Sequence, residues 1–384
     1  MTNTSESQLT PSLSRRAVVG TGAGIAAGAA LASGRLALAQ ENATPGATIE
    51  ALPMATPAAA GPVPDAQMQE VLDALAAFEA PPIEDVTPHV ARNLPSFANA
   101  LRVVVTERGL PAEEPVAGID HLLIPGPEGE ILARIYRPAG IEADALPVLV
   151  YFHGGGFVIA NLDTYDSSCR ALANAAGCIV ASIAYRQAPE SPFPAAVDDA
   201  YAATQFMLTN AGDIGGDPAR VAVGGESAGG NLAAVVSLRA RDEGAPLPVH
   251  QLLVYPVTTF APEGDAAVTI EQFADAKPLN APMLAWFGSH YLPDPALASD
   301  PMVSPLNATE LGGVPPATVI LAEIDPLQSQ GAVYAQALID AGVDTTLTLY
   351  QGVTHEFFGM GAVIDKADEA VAEAAARLKA SFGT

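Results

Sequence analysis

The chain has 384 residues, about half of them apolar, which suffices for one large packed domain and excludes disorder throughout. Its 17 Lys and Arg face 43 Asp and Glu for a formal net charge of −26, and only Lys277, Lys366 and Lys379 are lysines. Such a surface repels nucleic acid and anionic membrane and offers no polybasic patch.

At the N-terminus, Ser14-Arg15-Arg16-Ala17-Val18-Val19 sets a twin arginine ahead of an apolar, Gly/Ala-rich run from Ala17 to about Ala32, which closes near Ala37-Leu38-Ala39 in a small-x-small pattern. Residues 1–39 therefore read as a twin-arginine export signal, with the periplasm, cell surface or medium as the expected destination. The run has no cysteine at its end, so lipid attachment is not indicated. Residues 40–63 are mostly Ala, Pro, Thr and Gly, with too little large apolar surface to repay the entropy of ordering, and read as a linker.

Residues 64–384 read as one domain. Short β-rich runs are predicted at Ile119 to Ile124, Ile131 to Tyr136, Pro147 to Phe152, Cys178 to Ala184, Arg220 to Gly224, His250 to Tyr255, Ala317 to Ala322 and Thr346 to Tyr350. Helical patterns are predicted at Thr164 to Ala176, Pro194 to Asn210, Ala228 to Asp242, Gln328 to Ala341 and Lys366 to Ser381. This alternation predicts an α/β fold, a mostly parallel sheet of these strands covered by helices on both faces. Two segments break the alternation, residues 65–109 and 261–300, and are expected to form a helical cap over one edge of the site. Cys169 falls on a predicted helix and Cys178 opens a strand, which disfavours a disulfide; with no Cys-x-x-Cys, neither a structural metal nor dithiol chemistry is expected.

Gly225-Glu226-Ser227-Ala228-Gly229 follows an apolar strand and opens an Ala-rich helix. In that context the pattern is a nucleophile elbow, a sharp strand-to-helix turn that lifts a serine hydroxyl off the sheet edge with the helix's positive end beneath it. His153-Gly154-Gly155-Gly156-Phe157 follows the strand ending at Phe152, and its glycines leave backbone N–H groups bare. Gly154 and Gly155, with Ala228, are candidates for an oxyanion hole. A serine needs a base and the base an orienting acid, sought downstream of Ser227. Of His250, His290 and His355, only His355 follows the last strand in a loop. The acid is expected after the preceding strand, where Asp325 fits best, with Pro326 in the first turn of the next helix and Glu323 as the alternative. Asp198 and Asp199 lie on a predicted helix and are explained by a solvated face or a cap.

These pieces together resemble the hormone-sensitive-lipase-like branch of the α/β-hydrolases, the bacterial family IV carboxylesterases. The resemblance rests on His153 to Phe157, Tyr185-Arg186-Gln187-Ala188-Pro189-Glu190, Phe193-Pro194-Ala195-Ala196, Gly225 to Gly230, Asp325-Pro326-Leu327 and the loop at His355, and it covers roughly Pro64 to the C-terminus. It implies a serine carboxylesterase acting on short- to medium-chain acyl esters without a cofactor, in which Ser227 attacks, His355 carries the proton, Asp325 orients it, and Gly154, Gly155 and Ala228 receive the oxyanion. The implied partner is a small-molecule ester, not nucleic acid or, for the catalytic domain, a membrane; relatives also dimerise. His153 is implied to support the glycine loop. Rival readings are an amidase or peptidase with the same triad, and a non-catalytic binding protein on the hydrolase fold.

Some positions depart from the family pattern. Glu226 stands where many relatives carry Asp, and both a role behind the nucleophile and a simple exposed side chain fit it. Gln328-Ser329-Gln330 replaces further charged residues after the acid, leaving support from a second carboxylate in doubt. Glu356 follows His355 where many relatives have Gly, and a carboxylate there is expected to raise the base's pKa by favouring the imidazolium. Phe157, Trp286, Phe287 and Tyr291 are candidates to line the acyl or alcohol pocket or to pack the cap onto the core.

Overall fold

A computed structural model describes residues 61–384, Glu142 excepted; the export signal and all but the end of the linker lie outside the described residues. The chain opens with three helices, α1 (Ala66–Ala76), α2 (Pro88–Ala91) and α3 (Phe97–Glu107). The strands β1 (Gly118–Gly126), β2 (Gly129–Arg137) and β3 (Leu146–Phe152) follow, then α4 (Asp166–Ala176), β4 (Ile179–Ile183), α5 (Ala195–Asn210), β5 (Gly216–Glu226) and α6 (Ala228–Glu243). After β6 (Gln251–Val254) come α7 (Val268–Gln272), α8 (Ala281–Tyr291), β7 (Ala317–Ile324), α9 (Gln328–Asp340), β8 (Thr345–Thr354) and α10 (Asp365–Phe382).

The eight strands form one sheet in the order β1-β2-β4-β3-β5-β6-β7-β8. The first two pairings, β1 with β2 and β2 with β4, are antiparallel, and all the others are parallel. Every predicted strand and helix is present, and the mostly parallel sheet is as expected.

The sheet is buried on both faces, as the unbroken apolar runs of its central strands require. Because side chains alternate across a strand, Val148, Val150 and Phe152 of β3 enter a core closed by α5, α6 and α9, whereas Leu149 and Tyr151 enter a second core closed by α1, α3, α4 and α10. Cys169 and Cys178 are buried free thiols, and burial pushes Cys178 up to about 12, so neither is a reactive nucleophile.

Residues 65–109 dock on the end of β8. The Asp65 N–H donates to Gly352 O at 2.8 Å, and the Thr354 hydroxyl approaches Met68 Sδ at 3.5 Å. A 3-10 turn at Ile83–Asp85 meets α8, so the two predicted cap segments touch one another. Among the described residues no helix is long and apolar enough to cross a membrane.

Candidate active site

The parallel strands end together, and their C-terminal edge gathers the residues singled out above. Ser227 is the N-cap of the 16-residue helix α6, with φ 56° and ψ −115°. A non-glycine residue in that region stores about 1–3 kcal/mol of strain, which the surroundings must hold in place. They do so from three sides: the Ser227 N–H donates to Val254 O, and Ser227 O accepts from Asn231 N and Val257 N. The flanking glycines are required because β3 presses on the turn. A Cβ on either Gly225 or Gly229 would overlap the Phe152 carbonyl oxygen, so only bare Cα positions let the glycine loop come this close to the serine.

The β7–β8 register pairs Ile324 with Thr354, which sets Asp325 and His355 side by side at the strand ends. His355 Nδ1 lies 2.7 Å from Asp325 Oδ2, and both residues are buried. The other carboxylate oxygen of Asp325 accepts from Leu327 N at 2.8 Å, which fixes the acid's orientation. Burial opposes charging His355, but attraction and hydrogen bonding to Asp325, with Glu356 and Glu226 adding, outweigh it and leave its pKa raised. Glu323, the alternative acid, instead accepts from Gly352 N at 2.7 Å. Pro326 lies in the turn ahead of α9, which starts only at Gln328, so the proline shapes the loop rather than the helix's first turn.

The remaining histidines do not reach the pair. His250 is buried in the core, its Nε2 3.0 Å from Thr318 Oγ1, and burial lowers its pKa to about 3. His290 packs its ring on Trp286 in α8. His153 is held near a pKa of about 4 by burial and stays neutral; its Nδ1–H donates to Gly154 O at 2.8 Å, and its ring stacks on Tyr185 at 4.4 Å. It therefore braces the glycine loop.

That loop is clamped from outside as well. The Tyr185 hydroxyl donates to His153 O at 2.8 Å, Gln187 Nε2 to Ile159 O at 2.7 Å, and Ala188 N to Phe157 O at 2.9 Å. The segment Tyr185 to Glu190 is thus a brace for the loop. Gly155 and Gly156, at φ 95° and 58°, take the left-handed turns that carry the chain back beneath α8. Against Gly156 sits the Phe287 ring, which a Cβ there would overlap. The N–H groups of Gly154, Gly155 and Ala228 donate no hydrogen bond among the described residues. Ala228 opens α6, where the helix's positive end favours an anion.

Several expectations change. Glu226 is not an exposed side chain: it is buried, held by the hydroxyls of Tyr151 and Tyr255, and burial followed by repulsion from Glu356 raises its pKa to about 7. Asp199 is also buried, accepting from Arg186 N and pairing with the Arg186 guanidinium, so it locks the brace rather than a solvated face. Gln330 is buried and accepts from the backbone N–H groups of Thr258 and Thr259, while Ser329 bonds Thr269; these polar residues tie α9 to the start of the second cap segment. Phe157 and Tyr291 are fully buried and stacked at 3.9 Å, so they pack the cap on the core, and Phe287 is the aromatic that reaches the glycine loop.

Residues that the sequence did not flag also shape the site. Arg92, from the first cap segment, donates to Val158 O at 2.8 Å and Ala188 O at 2.7 Å and pairs with Glu190. Tyr165 donates to Glu356 Oε1 at 2.7 Å with its hydroxyl packed on Gly154. Neither stands in a motif, and each partner lies tens of residues away.

The family profile described as alpha/beta hydrolase fold matches residues 149–359. The carboxylic ester hydrolase LipN of Mycobacterium tuberculosis is 44% identical over 257 residues, which cover 65% of this chain and 67% of the relative. The esterase LipI of the same organism is 40% identical, over 68% of this chain and 82% of that one. Among solved structures, an esterase of Pyrobaculum calidifontis has a TM-score of 0.74 at 37% identity, covering 83% of this chain and 99% of its own. The chain belongs to the α/β-hydrolases, in their hormone-sensitive-lipase-like branch.

Proposed function

We propose that this protein is a serine carboxylesterase that hydrolyses short- to medium-chain acyl esters through an acyl-Ser227 intermediate. The observation that carries the reading is the buried, 2.7 Å His355–Asp325 pair at the same sheet edge as a serine held in a strained elbow. The names of the related hydrolases, carboxylic ester hydrolase and esterase, point to the same chemistry.

In this mechanism neutral His355 takes the proton of the Ser227 hydroxyl as its oxygen attacks the ester carbonyl. Asp325 accepts from Nδ1–H, fixes the tautomer and stabilises the imidazolium that forms. Negative charge on the carbonyl oxygen is received by the N–H groups of Gly154, Gly155 and Ala228, each worth about 3–4 kcal/mol of transition-state stabilisation in comparable sites. His355 then protonates the leaving alcohol, and a water that it activates releases the acid. Helices of residues 65–109 and 261–300 form the cap, and Phe287 bounds the acyl or alcohol pocket beside the glycine loop. We assign residues 1–39 to twin-arginine export, on the paired Arg15-Arg16 and the apolar run behind them.

The test is steady-state hydrolysis of a p-nitrophenyl ester series from acetate to palmitate, with matched anilides and Ser227→Ala as control. Turnover peaking at short or medium esters, slow on anilides and lost in the variant, is the expected result. Faster anilide turnover means an amidase; turnover in Ser227→Ala removes the reading altogether.

A further inference from the structure

Behind the His355–Asp325 pair lies a second acidic constellation that the acyl-transfer steps do not use. Glu226, the residue before the serine, and Glu356, the residue after the histidine, line one small, partly open pocket together with Tyr165 and Ser168, beside Phe97 of α3. Its volume, about 20 Å³, has room for roughly one water, and because Glu226 is itself buried its carboxyl is weakly solvated. Glu226 is 1% exposed and Glu356 is partly buried.

Of the groups facing them, His355 is the one base, and its protonated form attracts Glu356; the others are neutral or acidic. From β3 comes the Tyr151 hydroxyl and from the end of β6 the Tyr255 hydroxyl, both on Glu226; Tyr165 donates to Glu356; Ser168 and Cys169 come from α4; and His355 and Asp325 complete the circle. No Lys or Arg lines the cavity. While His355 is neutral, two carboxylates in this weakly solvated space have no cation beside them and cannot both ionise cheaply. Keeping one proton between them removes the repulsion and leaves a single negative charge beside the imidazole, and such a pair titrates as a unit rather than as two sites.

We propose that Glu226 and Glu356 form a carboxyl–carboxylate dyad that holds one proton, and that its remaining charge positions His355 and stabilises the imidazolium formed during catalysis. Tyr165 couples this dyad to the glycine loop, because the hydroxyl that bonds Glu356 also packs on Gly154. The consequence for turnover rests on the esterase reading; the shared proton does not.

The dyad predicts opposite signs for two isosteric variants. In Glu356→Gln the charge retreats to Glu226, and the acid limb of kcat/KM moves to lower pH by about one unit. In Glu226→Gln the charge settles wholly on Glu356, next to the base, and the limb moves the other way by a few tenths of a unit. Tyr165→Phe removes a donor to the charged form and shifts the limb in the direction of Glu356→Gln.

The decisive measurement is the infrared carbonyl stretch of protonated carboxyl groups, as variant-minus-parent difference spectra on the full chain at a pH just above the acid limb, where His355 is neutral. Loss of one protonated carboxyl in each single variant is expected, since either remaining glutamate ionises once its partner is gone. A protonated band that survives in either variant means burial alone protonates that residue, and the dyad is overturned. Equal downward shifts of the acid limb in both variants, with no protonated carboxyl lost, mean both groups are ionised, which overturns it equally. Should Glu226→Gln not fold, the band in Glu356→Gln decides alone, and the spectra keep their meaning even if no ester is turned over.

Discussion

The C-terminal edge of the sheet and the two helical segments beside it are built to different tolerances. At the edge, Ser227, Asp325 and His355 are almost wholly buried, and the elbow glycines admit no additional atom against Phe152. The helical segments, residues 65–109 and 261–300, leave Phe78, Val90 and Val268 exposed, and they meet the edge through a few anchors such as Arg92, Met68 and Phe287. The difference teaches that register and contact fix each atom at the strand ends, where the proposed chemistry lies, while the helical layer, to which we assign selection among substrates, keeps exposed positions free to vary. Substitutions at the edge should therefore abolish turnover, and those in the helical layer should retune it or pass unnoticed.

The largest effect is expected for Ser227→Ala, with kcat falling by about 10⁶-fold when the nucleophile is removed from a triad, measured on a purified chain that keeps its circular dichroism. Asp325→Asn should follow at about 10⁴-fold, because the wrong imidazole tautomer is then held toward the serine. Gly229→Ala would set a methyl on the Phe152 carbonyl and force the elbow and glycine loop apart; a loss of about 10²-fold in kcat, the scale of one misplaced oxyanion donor, should appear with a lower melting temperature. In the helical layer, Phe287→Leu should leave the nucleophile reactive and change the ratio of kcat/KM for longer over shorter acyl chains by about tenfold. Val268→Ser, at a residue 54% exposed, should alter stability by no more than about 0.5 kcal/mol in chemical denaturation and leave kinetics unchanged. An edge that tolerated Gly229→Ala, or a helical layer in which Phe287→Leu abolished turnover, would break the contrast.

The same contrast governs what could be read from the sequence. The eight strands and the helices between them follow from local periodicity, and the elbow, the glycine loop and His355 each stand in a short motif at a strand end, so order along the chain sufficed to place them. Glu226 is legible only as an acid of open setting, and Asp199 reads as a solvated face or a cap, because their burial depends on Tyr151, Tyr255 and Arg186, which arrive from other strands and loops. Arg92 and Tyr165 gave no local signal: their partners are 66 and 191 residues away, brought near by the fold alone. Within Gln328-Ser329-Gln330, where a second carboxylate is missing, Ser329 and Gln330 secure Thr269 and Thr258 with Thr259, a role that no pattern within the motif reveals.

His355 must be neutral to accept the serine proton, and its pKa is raised above the ordinary 6.5 by Asp325, Glu356 and Glu226 despite the opposing effect of burial. Activity should therefore be full above that raised value and be lost as pH falls through it, with a midpoint in kcat/KM on the alkaline side of a free imidazole.

The central claim, acyl transfer through Ser227, is tested most directly by inactivating the full chain with a short-chain p-nitrophenyl phosphonate and mapping the adduct by peptide mass spectrometry. The account predicts one phosphonyl group on the peptide containing Ser227, formed in step with the loss of esterase activity and absent from Ser227→Ala. An adduct on any other residue, or full inactivation without modification of Ser227, would contradict it.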